Sequence, residues 1–229
     1  MSATNRGAAR MSQDDYITPA WATRAILRYL APNPKLYPSK IIECCAGRGA
    51  IVEVINEIWP ESEIHAVEIN DERARSCDAH RCCYVHNVDF LQYRPVYPFD
   101  LAITNPPYDS NLLVPIIEKA LTVARIVTML VPVQWATGGT CRRTFRREHP
   151  FDLLTLERRP SFAVHVQCGP KKDDSCGWHL YYLPTDEHPK QCPECGRKTR
   201  RTSTDSSDYA WAAWGPGFGG RWEPLDVEE

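Results

Sequence analysis

Residues 40–49, KIIECCAGRG, decide the fold of this chain. The run Lys40–Cys45 is short and apolar, as in a buried strand, and a helical pattern follows at Ala50–Trp59. Between them, Gly47 and Gly49 allow the backbone to turn tightly and to come close to a ligand. The start of the helix behind the turn favours a carboxylate or a phosphate. A strand, a glycine turn and a helix in this order predict the first unit of an α/β sheet.

Strand patterns alternate with helical patterns along the rest of the chain. Six further segments are predicted as strands, namely Glu63–Glu68, Cys83–His86, Phe99–Thr104, Arg125–Val131, Asp152–Glu157 and Tyr209–Trp214. The alternation predicts right-handed βαβ units and a Rossmann-like α/β fold with a mostly parallel sheet of seven strands. Such sheets bind ligands beyond the carboxyl ends of their strands. We therefore expect the functional residues just after the first four strands.

Changes in composition divide the chain into a main domain, an insertion and two tails. The main domain is predicted at 13–165 and 205–214. Residues 166–204 hold four of the ten cysteines and interrupt the pattern between strands six and seven, so they are predicted to form a small inserted unit. Residues 1–12 are expected to be a disordered tail, and the acidic stretch 215–229 a flexible one.

The overall composition is that of a globular protein. With 43% hydrophobic and 24% charged residues, the chain is not a wholly disordered one. No apolar run reaches the roughly 18 residues of a membrane span and no secretory signal is recognisable, so no membrane partner is expected. Ten cysteines without such a signal predict reduced thiols in a cytoplasmic protein.

Basic residues are concentrated in the middle of the chain. The net charge is -2, but residues 138–204 carry 13 basic and 8 acidic side chains. Ten of these basic residues form three clusters: Arg142, Arg143, Arg146 and Arg147; Arg158 and Arg159; and Arg197, Lys198, Arg200 and Arg201. A local basic surface binds phosphate groups whatever the total charge. The pattern therefore favours a polyanionic partner.

Carboxylates follow the first three predicted strands. Glu43 lies in the glycine turn, Glu68 ends the second strand, and Asp89 follows the third. An acid at the second strand end accepts both hydroxyls of a ribose, and one after the third accepts an exocyclic amine. A nicotinamide dinucleotide needs a third glycine where Val52 stands. A nucleoside without a pyrophosphate therefore fits this site better.

The tetrapeptide Asn105-Pro106-Pro107-Tyr108 follows the fourth strand directly and is the most specific feature of the chain. The prolines fix the backbone and direct its carbonyl groups outward. The amide oxygen of Asn105 and a prolyl carbonyl accept the two N–H bonds of an amino group, and Tyr108 offers a face for stacking. Held in this way, an amine can attack an electrophilic methyl group without a dedicated base.

In this order, the motifs resemble those of the class I S-adenosylmethionine-dependent amino methyltransferases and are most similar to the DNA adenine-N6 methyltransferases. The resemblance covers about residues 14–162 and resumes at about 205–214. Asp15–Pro19 matches the upstream motif that packs against the methionine end of the cofactor, and Pro160–Phe162 looks like the motif whose aromatic ring stacks on the target base.

The resemblance implies specific residues for each ligand. It implies that S-adenosylmethionine is held by Tyr16, Thr18, Pro19, Glu43, Cys45, Gly47, Gly49, Glu68, Ile69, Asp89, Phe90 and Asn105. It implies that the target adenine is held by Asn105, Pro106, Pro107, Tyr108 and Phe162. It also implies a duplex DNA partner from which the base is flipped, at a cost of a few kcal/mol.

The chain departs from this family in two ways. Cys44-Cys45 stand where the family often has a bulky residue, which changes the packing beneath the cofactor. No segment is long enough for a full target-recognition domain, so specificity would come from short loops, the insertion or a partner chain. The tetrapeptide also occurs in methyltransferases that act on RNA bases or on protein glutamine, and these substrates stay open. A non-catalytic, zinc-bearing scaffold that binds nucleic acid is a third interpretation.

The insertion carries half of a zinc signature. Cys192 and Cys195 form a C-P-x-C-G turn, whose spacing places both thiolates on one metal ion. Cys168 and Cys176 complete a four-cysteine site, while a rival set uses His179. Four protein ligands leave no open position, so the zinc is predicted to be structural. A metal would give this small unit the core that it otherwise lacks.

Overall fold

The computed structural model describes residues 17–31, 37–77, 83–139, 145–160, 162, 164–168, 176, 178–182, 189–202 and 207–226. The chain divides into two compact units. The larger unit comprises Thr18–Pro160 and Ser207–Glu229, and the smaller one contains Ser161–Ser206.

Strands are numbered along the whole chain. Those of the larger unit are β1 (Lys40–Glu43), β2 (Glu63–Val67), β3 (Cys83–His86), β4 (Phe99–Thr104), β5 (Ala124–Pro132), β6 (Asp152–Leu156), β10 (Tyr209–Trp214) and β11 (Trp222–Leu225). Those of the smaller unit are β7 (Val164–Cys168), β8 (His179–Tyr182) and β9 (Thr199–Thr202). The helices are α1 (Ala20–Leu30), α2 (Ala50–Ile58), α3 (Asp71–Cys77), α4 (Ser110–Val123), α5 (Val133–Thr137) and α6 (Arg146–Glu148).

The strands of the larger unit form one sheet in the order β11-β6-β10-β5-β4-β1-β2-β3. All neighbouring strands run parallel except β10, which lies antiparallel to both β5 and β6. The predicted α/β fold with a mostly parallel sheet is therefore confirmed. The position of the insertion, between the sixth and seventh predicted strands β6 and β10, is also confirmed.

Within the described ranges, this sheet has eight strands instead of the predicted seven. The additional strand, β11, lies within 215–229, the stretch expected to be a flexible tail. It pairs with β6 because the buried carboxylate of Asp152 accepts the backbone N–H groups of Gly219, Gly220 and Arg221 at 2.9, 2.9 and 2.8 Å. The Arg221 guanidinium adds an ion pair at 2.6 Å. The Gly-rich, acidic composition of residues 215–229 did not indicate that Asp152, far away in the sequence, would fix this segment.

Helices cover both faces of the sheet. On one face, apolar side chains of α4 and α5 join the large core that includes Phe99, Phe151 and Trp214. Trp211 alternates with the β10 residues in that core, so it lies on the opposite face. There its indole N–H donates to the carbonyl of Ala22 in α1 at 2.9 Å. This contact fixes the start of α1 against the sheet. None of the helices in the described ranges is long and apolar enough to cross a bilayer.

The smaller unit is built on a three-stranded antiparallel sheet in the order β8-β7-β9. An antiparallel bridge between Gln191 and Lys198 precedes β9 and closes a short turn. Segments of this size usually bury too little apolar surface to be stable alone, and metals or disulfides commonly stabilise them.

Candidate functional site

The carboxyl ends of β1, β2, β3 and β4 meet at one edge of the larger sheet, because these strands are parallel neighbours. The glycine turn, Glu68 and Asn105 follow three of these ends. The sheet thus brings together residues that are far apart in the sequence, at the edge where such folds bind ligands.

The glycine turn connects β1 to α2. Gly47 and Gly49 have φ angles of 54° and 91°, a left-handed conformation that residues with a side chain rarely adopt. A Cβ atom added to Gly47 would meet no atom within 4 Å, so open space lies in front of the turn. The turn is fixed to β2 by the N–H of Ala46, which donates to the carbonyl of Val67 at 2.9 Å.

Glu68 organises the turn. One carboxylate oxygen accepts the N–H of Gly47 at 2.8 Å and the other accepts the N–H of Asn70 at 2.8 Å. Each carboxylate oxygen offers a second lone pair. Both therefore remain able to accept the hydroxyls of a ribose. Ile69 follows immediately and is 69% exposed, which places an apolar side chain beside the acid. These features fit the adenosine part of S-adenosylmethionine.

Glu43 lies below the turn rather than on its surface. Its side chain is 1% exposed, and its carboxylate accepts the N–H of Cys45 at 3.4 Å. Burial raises the pKa of Glu43 well above its usual value, and the nearby Thr104 hydroxyl lowers it only in part. The second carboxylate oxygen of Glu43 and the hydroxyl of Thr104 are both buried, and the two do not form a hydrogen bond with each other. Glu43 therefore supports the backbone of the turn from the buried side, through its contact with the N–H of Cys45.

The loop after β3 carries the third acid. Asp89 is half-buried, and its carboxylate accepts the N–H of Leu91 at 2.9 Å. Phe90 is 4% exposed and belongs to the core of the sheet. Its ring thus packs inside the protein, whereas Asp89 stays at the edge.

The side chain of Asn105 is held at both ends of its amide group. Its Nδ2 donates to the Thr18 hydroxyl at 3.0 Å, and the Tyr108 hydroxyl donates to its Oδ1. Thr18 is 4% exposed, so the first contact is shielded from water. Pro106 is buried and Pro107 is half-buried. The tetrapeptide therefore presents an amide whose plane is fixed by two hydroxyl groups.

Two contacts at this site were not indicated by the sequence, and one of them involves a residue that was not predicted, Tyr209. The ring of Tyr108 lies 5.4 Å from that of Tyr209, measured between centroids. Tyr209 begins β10, and this strand is antiparallel, so its first residue lies at the functional edge. The contact between Thr18 and Asn105 joins residues 87 positions apart. Neither contact has a local sequence signal.

The remaining predicted residues occupy different places. Pro19 precedes α1, and its carbonyl accepts the N–H of Ala22 at 2.9 Å. Cys45 is half-buried and packs against the core. Phe162 belongs to the smaller unit and is 1% exposed. Tyr16 lies outside the described residues.

The smaller unit contains a cluster of four cysteines: Cys168, Cys176, Cys192 and Cys195. Their Sγ atoms all lie within 4.8 Å of one another. Two contacts are closer, at 3.2 Å between Cys168 and Cys195 and 3.5 Å between Cys176 and Cys192. The four-cysteine set is thus the one that the fold assembles. The side chain of His179, the rival ligand, lies outside the described part of the structure.

The backbone prepares this cluster for a cation. Gly196 has a φ angle of 70°, and its N–H donates to the carbonyl of Cys192 at 2.9 Å, which closes the turn. The N–H of Arg197 and the Cys168 thiol lower the pKa of Cys195 to about 7. Four sulfur atoms at these distances fit one tetrahedral metal ion.

The sequence matches no known family model. Among solved structures, a putative RNA methyltransferase from Pyrococcus horikoshii is similar with a TM-score of 0.51 and 14% identity, over 85% of this chain and 84% of that one. A S-adenosylmethionine-dependent O-methyltransferase from Thermotoga maritima gives a TM-score of 0.46 and 15% identity, over 90% and 66% of the two chains.

The plantazolicin methyltransferase, solved in complex with S-adenosylhomocysteine, gives a TM-score of 0.43 and 13% identity over 48% of this chain. The present chain spans about half the length of the plantazolicin methyltransferase chains that it matches, between 45% and 53%. The similarity to the Pyrococcus structure shows that the chain shares the Rossmann-like α/β fold of that protein.

Proposed function

We propose that this protein is an enzyme that transfers a methyl group from S-adenosylmethionine to the N6 amino group of adenine in DNA. The observation that carries the proposal is the amide of Asn105, held between Thr18 and Tyr108 at the carboxyl end of β4. This is the edge at which the fold places its ligands.

The chemistry follows from the donors and acceptors of the tetrapeptide. The Oδ1 atom of Asn105 and the backbone carbonyl of Pro106 accept the two N–H bonds of an exocyclic amine. These contacts direct the nitrogen lone pair away from the ring and increase its electron density. Tyr108, braced by Tyr209, offers a face on which the base stacks. Such stacking offsets part of the cost of flipping the base from the duplex.

The cofactor site uses the neighbouring strand ends. Glu68 accepts the ribose hydroxyls, Ile69 lies against the adenine ring, and Asp89 accepts its amino group. The open space before Gly47 gives the cofactor room to approach the backbone. When bound, S-adenosylmethionine supplies the electrophilic methyl group.

Zinc forms part of the same proposal. Cys168, Cys176, Cys192 and Cys195 hold one structural zinc ion, because all four thiols are close enough to share it. With every ligand position filled by protein, the metal stabilises the smaller unit and takes no part in methyl transfer.

RNA is a second candidate substrate. The Pyrococcus protein that covers most of this chain is named as a putative RNA methyltransferase. An adenine presented by unpaired RNA offers the same amino group to Asn105. The two candidates therefore differ in the polymer and share the chemistry.

A methyl-transfer assay with tritiated S-adenosylmethionine tests the proposal. Purified protein is incubated with duplex DNA or with structured RNA, and the labelled nucleoside is identified after digestion. Asn111→Ala is the matched control, since Asn111 lies exposed at the start of α4. We expect label in N6-methyladenine of DNA, with about a 100-fold loss in Asn105→Ala and none in the control. Label confined to RNA would favour the second candidate, and an unaffected Asn105→Ala would contradict both.

A further inference from the structure

We infer that Arg158 and Trp21 form a contact for a phosphate group of the DNA strand beside the flipped base. The inference rests on the proposed function and names the part of the substrate that the enzyme holds outside its base pocket.

Arg158 lies at the functional edge of the sheet. It follows the carboxyl end of β6, two residues beyond Leu156. Since β10 is antiparallel to both β5 and β6, the strands β6 and β5 run in the same direction. The carboxyl end of β6 therefore lies at the same edge as that of β4, where Asn105 stands.

The start of α1 connects Arg158 to the base pocket. Thr18, two residues before α1, contacts the amide of Asn105 at 3.0 Å. Trp21 is the second residue of α1, and the guanidinium carbon of Arg158 lies 4.5 Å from the centre of its ring. The same short segment thus contacts both the proposed base-binding amide and this arginine.

The charge of Arg158 is not neutralised within the described residues. Its neighbour Arg159 pairs with Asp208 at 2.6 Å, whereas no carboxylate in the described ranges pairs with Arg158. Arg158 is also exposed. An exposed, unneutralised cation at the same edge of the sheet as a ligand site attracts an anion.

The indole ring gives the arginine a defined position. The guanidinium carbon of Arg158 lies over the indole ring, and a guanidinium that contacts a ring through its face keeps its N–H edge free to donate. An arginine oriented in this way matches the two oxygens of a phosphodiester. Because the side chain is already ordered, it loses less freedom when the phosphate binds. A regularly charged polymer such as DNA provides such a phosphate next to a flipped nucleotide.

The salt dependence of DNA binding tests this contact. The affinity of the full-length protein for a fluorescent duplex is measured by anisotropy over a range of salt concentrations, for wild type, Arg158→Gln and Arg75→Gln. Arg75 is a matched control, because it is an exposed arginine paired with Asp71 on α3. We expect Arg158→Gln to weaken binding about 5- to 10-fold near 0.1 M salt, and to reduce the salt slope by about 0.9, the value of one phosphate contact. The control should match wild type.

A separate variant tests the contribution of the Trp21 ring. Trp21→Leu should weaken binding about two- to five-fold while leaving the salt slope unchanged, since the charge is retained but less well positioned. Wild-type affinity in this variant would overturn the role of the ring.

The outcomes separate this inference from the proposed function. A wild-type slope in Arg158→Gln would overturn the phosphate contact even if methylation of DNA is intact. The binding assay needs no turnover, so an inactive protein that still shows the reduced slope would support the contact while contradicting the methyl transfer. A reduced slope with RNA but not with DNA would overturn the assignment to DNA.

Discussion

Glu68→Gln is the substitution that examines the cofactor site most closely. The carboxylate of Glu68 accepts two backbone N–H groups at 2.8 Å, from Gly47 and Asn70. Glutamine replaces one oxygen by an NH2 group, which cannot accept. One of the two N–H groups then loses its acceptor, and in the proposed cofactor complex the ribose loses a charged partner.

The expected loss of cofactor affinity follows from the number of hydrogen bonds that the substitution removes. A hydrogen bond to a charged group contributes about 1.5–3 kcal/mol. Loss of one such bond to the ribose raises the Kd for the cofactor roughly 10- to 150-fold. The unsatisfied backbone N–H also lowers the free energy of unfolding by about 1–2 kcal/mol.

Calorimetric titration with S-adenosylhomocysteine measures the first effect, and chemical denaturation the second. Glu57→Gln is the matched control, because Glu57 lies exposed on the surface of α2, where it forms an ion pair with Arg24. The control should bind the cofactor like wild type. A Glu68→Gln protein with the wild-type Kd would refute the assignment of Glu68 to the ribose.

Three further predictions concern other parts of the chain. Thr18→Val removes the hydroxyl that accepts the N–H of the Asn105 amide, and it should lower kcat about 5- to 30-fold with little change in the Kd for the cofactor. Thr18→Ser keeps a hydroxyl and should retain the wild-type kcat; a change in Kd alone would contradict this role. Metal analysis should give about one zinc per wild-type chain and per His179→Ala chain, and a clear loss in Cys192→Ser; retention in Cys192→Ser would exclude the four-cysteine site. Burial alone would raise the pKa of Asp152, but the backbone N–H groups and the Arg221 guanidinium that bind its carboxylate lower this pKa overall. The carboxylate therefore stabilises the folded protein fully above the unfolded pKa of about 3.9, and this contribution is lost as the pH falls through the folded pKa. Asp152→Asn should therefore lower the free energy of unfolding by about 2–3 kcal/mol at pH 7, with a smaller difference from wild type in acid; an equal difference at pH 7 and pH 3 would contradict the linkage.

Local sequence patterns predicted much of the fold. Alternation of apolar strands with helical patterns is a short-range signal, and it located the seven main strands and the parallel character of the sheet. The edge strand β11 was not predicted, because the residues that precede it are held by Asp152, which lies 67 to 69 positions earlier in the sequence. Such an anchor leaves no trace in the composition of Gly215–Glu229.

The candidate site was predictable only in its parts. The glycine turn, Glu68 and the tetrapeptide at Asn105 each carry a local motif, and the parallel sheet brings them to one edge. Burial is a three-dimensional property, so the sequence did not show that Glu43 lies beneath the turn, or that the carboxylate of Glu68 holds the N–H groups of Gly47 and Asn70. The contact between Thr18 and Asn105 likewise depends on how α1 packs on the sheet.

The cysteine cluster was also predictable in one part from a local motif, whereas the other part depended on the fold. The turn at Cys192–Cys195 is a local signature, and it predicted two ligands from spacing alone. The choice of the other two depended on the pairing of β7 with β9, which places Cys168 opposite Thr199. The structure brings Cys168 and Cys176 to the turn, in agreement with the four-cysteine set.

The central claim is that the Asn105 amide directs methyl transfer to adenine in DNA. Its most direct test is mass spectrometry of nucleosides from the genomic DNA of cells that lack their own adenine methylation and express either the wild-type protein or Asn105→Ala. We expect N6-methyladenine with the wild-type protein and none above background with the variant. Absence of the modified base with a folded wild-type protein, or equal amounts with both, would contradict it.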